Sequence, residues 1–314
     1  MIDDAAGLLV RAATRLGQSL PVVGGLFGKR PRLDIDGRVV FVTGAARGLG
    51  AEIARQAYAA GAYVAMVGRR LETLQQLADA LGPRAAAFQA DVTDAEALQQ
   101  AADGALAAFG GIDVVVANAG IAPPSEPVAT IDPVDFEHTV EVDLLGQWRT
   151  ARATLPALID SRGHIVFVGS IYVFFNGVLA APYAMSKAGL EQLSRALRVE
   201  LASHGVTAGI AYLGFIDTDL ASESLAEENA ARIRAAAPAF LTKPISASDA
   251  AAAVLDGVSR RAARVSAPAW VRPMLAMRTV TTAVMDDVLM HNREVAAAVG
   301  NAEASRHDGK ADPT

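Results

Sequence analysis

A glycine-rich turn between an apolar run and a helical segment is the feature that most constrains how this chain folds. The run Val39–Val42 is apolar, and Gly44, Gly48 and Gly50 follow it before a segment with helical spacing. Glycines permit a sharp turn and let another group approach the backbone closely. The free N–H groups and positive dipole end at the start of a helix favour an anion. The sequence therefore predicts the phosphate-binding turn of a dinucleotide-binding fold.

Strand-like and helical segments alternate along most of the chain. The strand-like runs are Val39–Val42, Tyr63–Val67, Ala85–Ala90, Val114–Ala117, Ile165–Val168 and Val206–Tyr212. This alternation predicts an α/β fold in which a doubly wound, Rossmann-like parallel sheet has helices on both faces. A ligand of such a sheet lies at the carboxyl ends of its strands, where Gly44, Gly120, Ser170 and Gly214 fall.

A second motif lies at the start of another helical segment. Tyr183 and Lys187 are four residues apart, so on a helix their side chains share one face. A lysine ammonium near a phenol favours the phenolate, whereas an isolated tyrosine has a pKa of about 10. The pair is typical of a tuned proton donor and acceptor, although the same spacing also occurs by chance on half-exposed helices.

The spacing Gly-x-x-x-Gly-x-Gly, together with Tyr183 and Lys187, resembles the short-chain dehydrogenase/reductase family. Further matches occur in the same order along residues 33–265. Asp91 and Val92 match the adenine-contacting pair, and Asn118–Gly120 matches a motif that stabilises the sheet. Ser170 precedes Tyr183 by 183 − 170 = 13 positions, which suits the serine of the family.

The resemblance implies reversible hydride transfer between a nicotinamide cofactor and a carbonyl or alcohol carbon. In this chemistry Tyr183 exchanges a proton with the substrate oxygen, and Ser170 donates a hydrogen bond to that oxygen. Lys187 lowers the pKa of Tyr183 and binds the nicotinamide ribose. The segment containing Ile216 and Thr218 holds the nicotinamide carboxamide. Members of the family form homo-oligomers, so we expect a dimer or a tetramer.

The resemblance also sets the expected domain boundaries. A catalytic domain is expected over residues 33–275, with a mobile lid at about 219–245. A helical extension precedes it at 1–32, and a C-terminal helix and disordered tail follow at 276–314. The N-terminal extension suggests a helix packed on its own domain or on a neighbouring subunit, or else peripheral membrane contact. The basic, apolar segments between 260 and 275 are open to three readings: lining of a lipophilic substrate entrance, contact with a membrane surface, or packing against the N-terminal helix.

Three positions depart from the pattern of the family. Ala117 and Leu213 replace an asparagine and a proline, and we expect both to be tolerated packing changes. Asp143 replaces an asparagine that holds a water linking the lysine to solvent. A carboxylate there would stabilise protonated Lys187 and oppose phenolate formation at Tyr183. We expect reduced or pH-shifted activity if Asp143 faces the lysine, and no effect if it points elsewhere.

The expected cofactor is NADP rather than NAD. Versions of this fold that bind NAD carry an acid at the end of the second strand, where this chain has Gly68. Arg69 follows at once and Arg47 lies within the glycine turn, so two guanidiniums are available to bind a 2′-phosphate. The full set of expected cofactor contacts is Gly44, Arg47, Gly48, Leu49, Gly50, Arg69, Asp91, Val92, Asn118, Ala119, Gly120, Tyr183, Lys187, Ile216 and Thr218.

Composition narrows the functional class. The chain has 28 basic and 34 acidic residues, a net charge of −6 that gives no basic surface for nucleic acid. It has no cysteine, which excludes disulfides and fits the cytoplasm. Its five histidines lack the spacing of metal ligands, so no metal site is expected.

The substrate and the reaction class are less constrained. Tyr172, Val173, Phe174, Phe175 and Leu179 lie between the serine and the tyrosine, and they suggest either a pocket for a lipophilic ketone or core packing. A catalytically impaired, nucleotide-binding regulatory protein is the alternative, with Asp143 as its support. An epimerase or dehydratase of the same fold is a third reading.

Overall fold

The computed structural model describes residues 32–218, 229, 231–233 and 239–309 of the chain. The predicted N-terminal extension, apart from residue 32, lies outside the described residues, and so does most of the predicted lid. The membrane contact predicted through the N-terminus therefore also falls on residues that are not described. Within the described part of the chain, no helix is long and apolar enough to cross a membrane.

Parallel strands form the centre of the molecule. In chain order they are β1 (Val39–Thr43), β2 (Tyr63–Gly68), β3 (Ala85–Gln89), β4 (Val114–Ala117), β5 (His164–Val168), β6 (Thr207–Leu213), β7 (Ile216–Asp217), β8 (Ile245–Ser246) and β9 (Arg264–Ala267). Seven of them form one sheet in the order β3-β2-β1-β4-β5-β6-β9, and β7 pairs with β8 separately. The chain changes direction across the sheet between β1 and β4, the position at which doubly wound sheets bind their ligands.

Helices connect these strands and extend beyond the last of them. They are α1 (Gly48–Ala59), α2 (Leu71–Leu81), α3 (Ala95–Phe109), α4 (Pro133–Val140), α5 (Gly146–Ser161), α6 (Ala181–Glu200), α7 (Ala239–Thr242), α8 (Ala247–Ser259), α9 (Val271–Ala276), α10 (Arg278–Met290) and α11 (Arg293–Gly309). A π-helical turn, Glu141–Leu145, joins α4 to α5. Asp94 caps α3 by accepting hydrogen bonds from two backbone N–H groups of its first turn.

The sheet is buried on both faces, which explains its almost continuous apolar strands. In β1, Phe41 points to one hydrophobic core and its neighbours Val40 and Val42 point to the other. The first core contains side chains of α3, α5 and α6, and the second contains those of α1, α2 and α8. This two-sided packing confirms the predicted α/β fold with helices on both faces.

The structure differs from the sequence expectation near the C-terminus. The sheet has a seventh strand, β9, inside a segment that was expected to line a substrate entrance, touch a membrane or pack on the N-terminal helix. Val265 of that strand is buried in the core. A disordered tail was expected at the end of residues 276–314, but α11 continues to Gly309. The helix persists because Ala298 and Ala302 are buried against Leu179.

Candidate active site

The glycine turn adopts a conformation that depends on its glycines. Gly44 and Gly48 have φ angles of +66° and +56°, which side chains rarely allow. A Cβ atom on Gly50 would collide with the carbonyl oxygen of Gly44. The side chain of Arg47, the residue before α1, makes no capping hydrogen bond to the helix. The N-terminus of α1 therefore keeps backbone donors for an anion.

Asn118 ties this turn to the neighbouring strand. Its side-chain amide donates to the carbonyl oxygens of Thr43 and Gly44, at 2.9 and 3.3 Å. The hydroxyl of Thr43 in turn accepts from the backbone N–H groups of Asn118 and Ala119. This network holds the ends of β1 and β4 together at the point where the sheet changes direction.

All residues predicted to contact the cofactor line one groove along the carboxyl ends of the strands. The cavity within it is about 290 Å³. Sequence reasoning did not select several other lining residues as cofactor contacts, which are Ala46, Gly68, Arg70, Ala90, Ile121, Val142, Val168, Gly169 and Leu213. Most of these follow strand ends, so their position in a parallel sheet was the signal that could have identified them.

Two cationic side chains line the outer end of the groove where β2 ends. The guanidinium of Arg69 lies 3.9 Å from the carboxylate of Asp91 and remains mostly exposed. Asp91 also accepts hydrogen bonds from the backbone and hydroxyl of Thr93, which fix its orientation. Arg47 lines the same groove from the glycine turn. Arg69 and Arg47 thus both line the groove, and the end of β2 carries Gly68 rather than an acidic residue.

The opposite end of the groove holds the predicted proton-transfer residues. Pro182 lies in the first turn of α6, and Tyr183 and Lys187 follow it on one face of the helix. The Lys187 ammonium nitrogen lies 5.1 Å from the centre of the Tyr183 ring. Ser170 follows β5, its hydroxyl accepts the Tyr172 N–H at 3.2 Å, and it lines the groove beside Tyr183. The fold therefore brings Ser170, Tyr183 and Lys187 together from two elements.

Asp143 faces this group from the π-helical turn. Its side chain is fully buried; Oδ1 accepts the Ile121 N–H at 2.7 Å, and Oδ2 lies 3.5 Å from Lys187 Nζ. Single π-helical turns occur often at functional sites, and this one aims Asp143 at the lysine. The alternative that Asp143 points elsewhere does not hold in this structure.

Burial and mutual charge shift the titration of these groups. Burial raises the pKa of Asp143, although Lys187 opposes this shift. Burial alone would lower the pKa of Lys187, but the charges of Asp143 and Tyr183 outweigh it and raise that pKa. Burial also raises the pKa of Tyr183; Lys187 acts against that rise and Asp143 adds to it. The aspartate therefore acts in the direction that its charge predicts.

A second cavity of about 290 Å³ opens beside the tyrosine. Its apolar wall includes Tyr172, Phe175 and Leu179, whereas Phe174 is buried in the core. The apolar segment before Tyr183 thus serves partly as pocket and partly as core. Several residues line both this cavity and the cofactor groove, and they are Ile121, Ser170, Tyr183, Gly214, Ile216 and Thr218.

Comparison with known proteins decides the family. Residues 38–229 match the family model described as short chain dehydrogenase. The chain belongs to the short-chain dehydrogenase/reductase family. It is therefore an oxidoreductase of a family that transfers hydride with a nicotinamide cofactor, as the resemblance implied. The groove fits that cofactor, because its glycine turn exposes uncapped backbone donors at a helix N-terminus.

Several curated relatives are about one-third identical to this chain over the residues that align. The 3-oxoacyl-(acyl-carrier-protein) reductase of Escherichia coli is 32% identical over 66% of this chain and 84% of its own length. The cis-4-hydroxycyclohexanecarboxylate dehydrogenase of Sinomonas cyclohexanicum is 34% identical over 70% of this chain and 93% of its own. A crystal structure of a short-chain type dehydrogenase/reductase from Mycobacterium marinum is 27% identical, with a TM-score of 0.67 over 74% of this chain and 94% of that one.

Proposed function

We propose that this chain is an NADP-dependent carbonyl reductase that acts on lipophilic ketones. The observation that carries the proposal is the position of Ser170 and Tyr183, which line both the cofactor groove and the apolar cavity. A carbonyl carbon bound between these two spaces lies beside the cofactor, and its oxygen lies beside two hydroxyl groups. The family of the chain and the apolar wall of the cavity support the same conclusion.

Each residue near the tyrosine has a distinct role in this mechanism. The cofactor supplies the hydride when it is bound. Tyr183 donates its phenolic proton to the carbonyl oxygen in reduction and accepts it in oxidation. Lys187 stabilises the phenolate through its positive charge, and Ser170 donates a hydrogen bond to the substrate oxygen. Asp143 fixes the Lys187 ammonium, and its negative charge favours the protonated forms of Lys187 and Tyr183.

The preference for NADP rests on the charge at the outer end of the groove. Arg47 and Arg69 line the groove there, and Gly68 stands where an acid would accept hydrogen bonds from the ribose of NAD. Guanidiniums match phosphate oxygens in charge and geometry. The ion pair between Arg69 and Asp91 is long and exposed, so it holds the arginine near the groove without consuming its hydrogen-bonding capacity.

Turnover of NADPH tests the proposed function directly. The loss of NADPH absorbance is followed with a panel of lipophilic ketones, and the Tyr183→Phe protein serves as the comparison. We expect oxidation with the wild type and a loss of 10²-fold or more in the variant, which lacks the acid. Retained NADPH binding by the variant, measured by fluorescence, shows that the groove is intact. Equal rates in both proteins would refute the role of Tyr183.

The ion pair between Asp143 and Lys187 favours one other reading. The carboxylate of Asp143 offsets the positive charge of Lys187 beside it, which would hinder phenolate formation at Tyr183, and the chain would then bind the nucleotide without turning over a substrate. Tight NADPH binding with no oxidation on any ketone, together with activity gained in Asp143→Asn, would support this regulatory reading over the reductase.

A homo-oligomer is part of the proposal. Large apolar side chains are exposed at the end of the π-helical turn and on the two helices α5 and α6: Leu145 ends the turn, Trp148 lies near the start of α5, and Met185 and Val199 lie on α6. Exposed apolar surface of this kind favours association between copies. Light scattering after size-exclusion chromatography measures the mass, and Trp148→Glu should shift it towards that of the monomer.

A further inference from the structure

The cavity beside Tyr183 has a wall that comes from outside the matched family region. Met285 and Leu289 of α10 line it, and they lie one helical turn apart on the same face. Phe175 and Leu179, from the segment before Tyr183, line the same cavity. Residues 38–229 match the family model, so α10 lies outside the matched region, and two of its side chains line the cavity beside the candidate active site.

Polar contacts fix α10 to the elements that carry the catalytic residues. The guanidinium of Arg278, at the start of α10, donates to both carboxylate oxygens of Glu191, at 2.9 and 2.7 Å. Glu191 is buried on α6, one turn beyond Lys187. Nearer the other end of α10, Asp286 accepts a hydrogen bond from the Asn176 amide at 2.9 Å. A two-point attachment of this kind holds the helix at a defined distance from the cavity.

The next helix packs against another residue of the cavity lining. Ala298 and Ala302 of α11 are buried against Leu179, the residue that lines the cavity. Leu179 has a φ angle of +58°, which is uncommon for a residue with a side chain and persists only where surrounding packing imposes it. The C-terminal helices thus contribute Met285 and Leu289 to the cavity lining and pack against a third lining residue, Leu179.

The described part of the cavity wall carries no charged side chain. Its polar groups are hydroxyls and amides, including Tyr172, Asn176 and Thr242, and the rest is apolar or backbone. Binding a charged substituent there would remove its hydration without an ion pair to compensate. An extended apolar substituent would instead bury its surface against Met285 and Leu289.

We propose that α10 is a fixed roof over the substrate, with Met285 and Leu289 as specificity-determining residues for ketones that carry a long, uncharged apolar substituent. This inference rests on the proposed reductase function. The roof contacts the substituent, while Tyr183 and Ser170 contact the carbonyl oxygen. Short ketones therefore react without using the roof, and long ketones use both.

Matched polar variants of α10 test the roof. Met285→Gln and Leu289→Gln change the inner face, whereas Val284→Gln and Val288→Gln change exposed positions of the same helix. The value of kcat/KM is compared for butanone and for a long-chain methyl ketone. We expect the inner variants to lose about tenfold or more on the long ketone and less than twofold on butanone. The outer variants should change by less than twofold on both.

Other outcomes overturn the roof. An equal loss on both ketones means that the inner variants damage the active site generally, and no loss on the long ketone means that α10 does not contact it. Circular dichroism checks folding, and Met285→Ala and Leu289→Ala replace any glutamine variant that fails to fold. The loss confined to long ketones is the result expected of these alanine variants as well.

A binding measurement separates failure of the roof from failure of the proposed reductase. If the wild type reduces no ketone, the long-chain methyl ketone is titrated calorimetrically into the protein with NADPH present. Binding that weakens in the inner variants and not in the outer ones supports the roof even though the reductase proposal fails. Equal binding by all variants, or no binding by the wild type, overturns the roof.

Discussion

Burial of His164 makes the stability of this protein depend on pH. The ring is fully buried in β5, and its Nδ1 lies 2.8 Å from the hydroxyl of Thr207. Burial, reinforced by the charges of Arg261 and Arg198, lowers the pKa of His164 from 6.5 to about 3. The folded protein therefore keeps this histidine neutral at pH values where the unfolded chain protonates it.

The magnitude follows from proton linkage. The unfolded state binds the proton below about pH 6.5 and the folded state does so only near pH 3, so stability is lost as the pH falls through that interval. At pH 5 the difference in proton affinity corresponds to about 2 kcal/mol of lost folding free energy, against a few tenths at pH 7. This figure hardly changes if the pKa of His164 in the folded state is one unit higher, because pH 5 still lies above that pKa.

The assay compares the pH dependence of unfolding in two variants. His164→Asn removes the titration, and Ile165→Val removes one methylene from the same strand while it keeps the histidine. Urea unfolding at pH 7 and pH 5 gives the free energy of each protein. We expect the wild type and Ile165→Val to lose about 2 kcal/mol more than His164→Asn between these pH values. Identical losses in all three proteins would refute the linkage.

Three further predictions concern the site. Asp143→Asn removes a charge that raises the pKa of Tyr183, so the pH–rate profile of alcohol oxidation should move to lower pH; an unchanged profile would contradict this. The double variant Arg47→Ala, Arg69→Ala should raise the Kd for NADPH about tenfold or more with little change for NADH, and an intact preference for NADPH in titrations would reject 2′-phosphate binding by these two arginines. Gly50→Ala should weaken cofactor binding and lower the Tm because its Cβ meets Gly44, whereas Gly111→Ala, which meets nothing within 4 Å, serves as the control.

The parts of the site that the sequence predicted are those encoded in short windows. Gly44–Gly50 and Tyr183–Lys187 each lie within eight residues or fewer, so spacing alone places their members on one turn or one helix face. Six strands of the sheet could also be predicted from apolar runs in the sequence, because strands buried on both faces consist almost entirely of apolar residues. Their bounds in the structure lie within a residue or two of the predicted ones.

What the sequence did not predict depends on contacts between distant segments. The strand β9 is short and begins at Arg264, and only its pairing with β6 makes it a strand. Met285 reaches the cavity because Arg278 meets Glu191, a contact across 87 positions. Local patterns carry no information about such pairs. The direction of Asp143 was similarly undecided until the π-helical turn fixed it.

The buried charges near the tyrosine also constrain the substrate. Lys187 and Asp143 are both almost completely buried and lie 3.5 Å apart, so together they add little net charge to the reactive end of the cavity. A lone ammonium there would attract an anionic substrate, and the aspartate cancels that attraction. The pair and the uncharged wall thus both favour neutral ketones. We expect Asp143→Asn to improve the KM of a ketone that bears a carboxylate more than the KM of its methyl ester. An equal effect on both compounds would mean that the charge of Asp143 acts on Tyr183 alone and not on the choice of substrate.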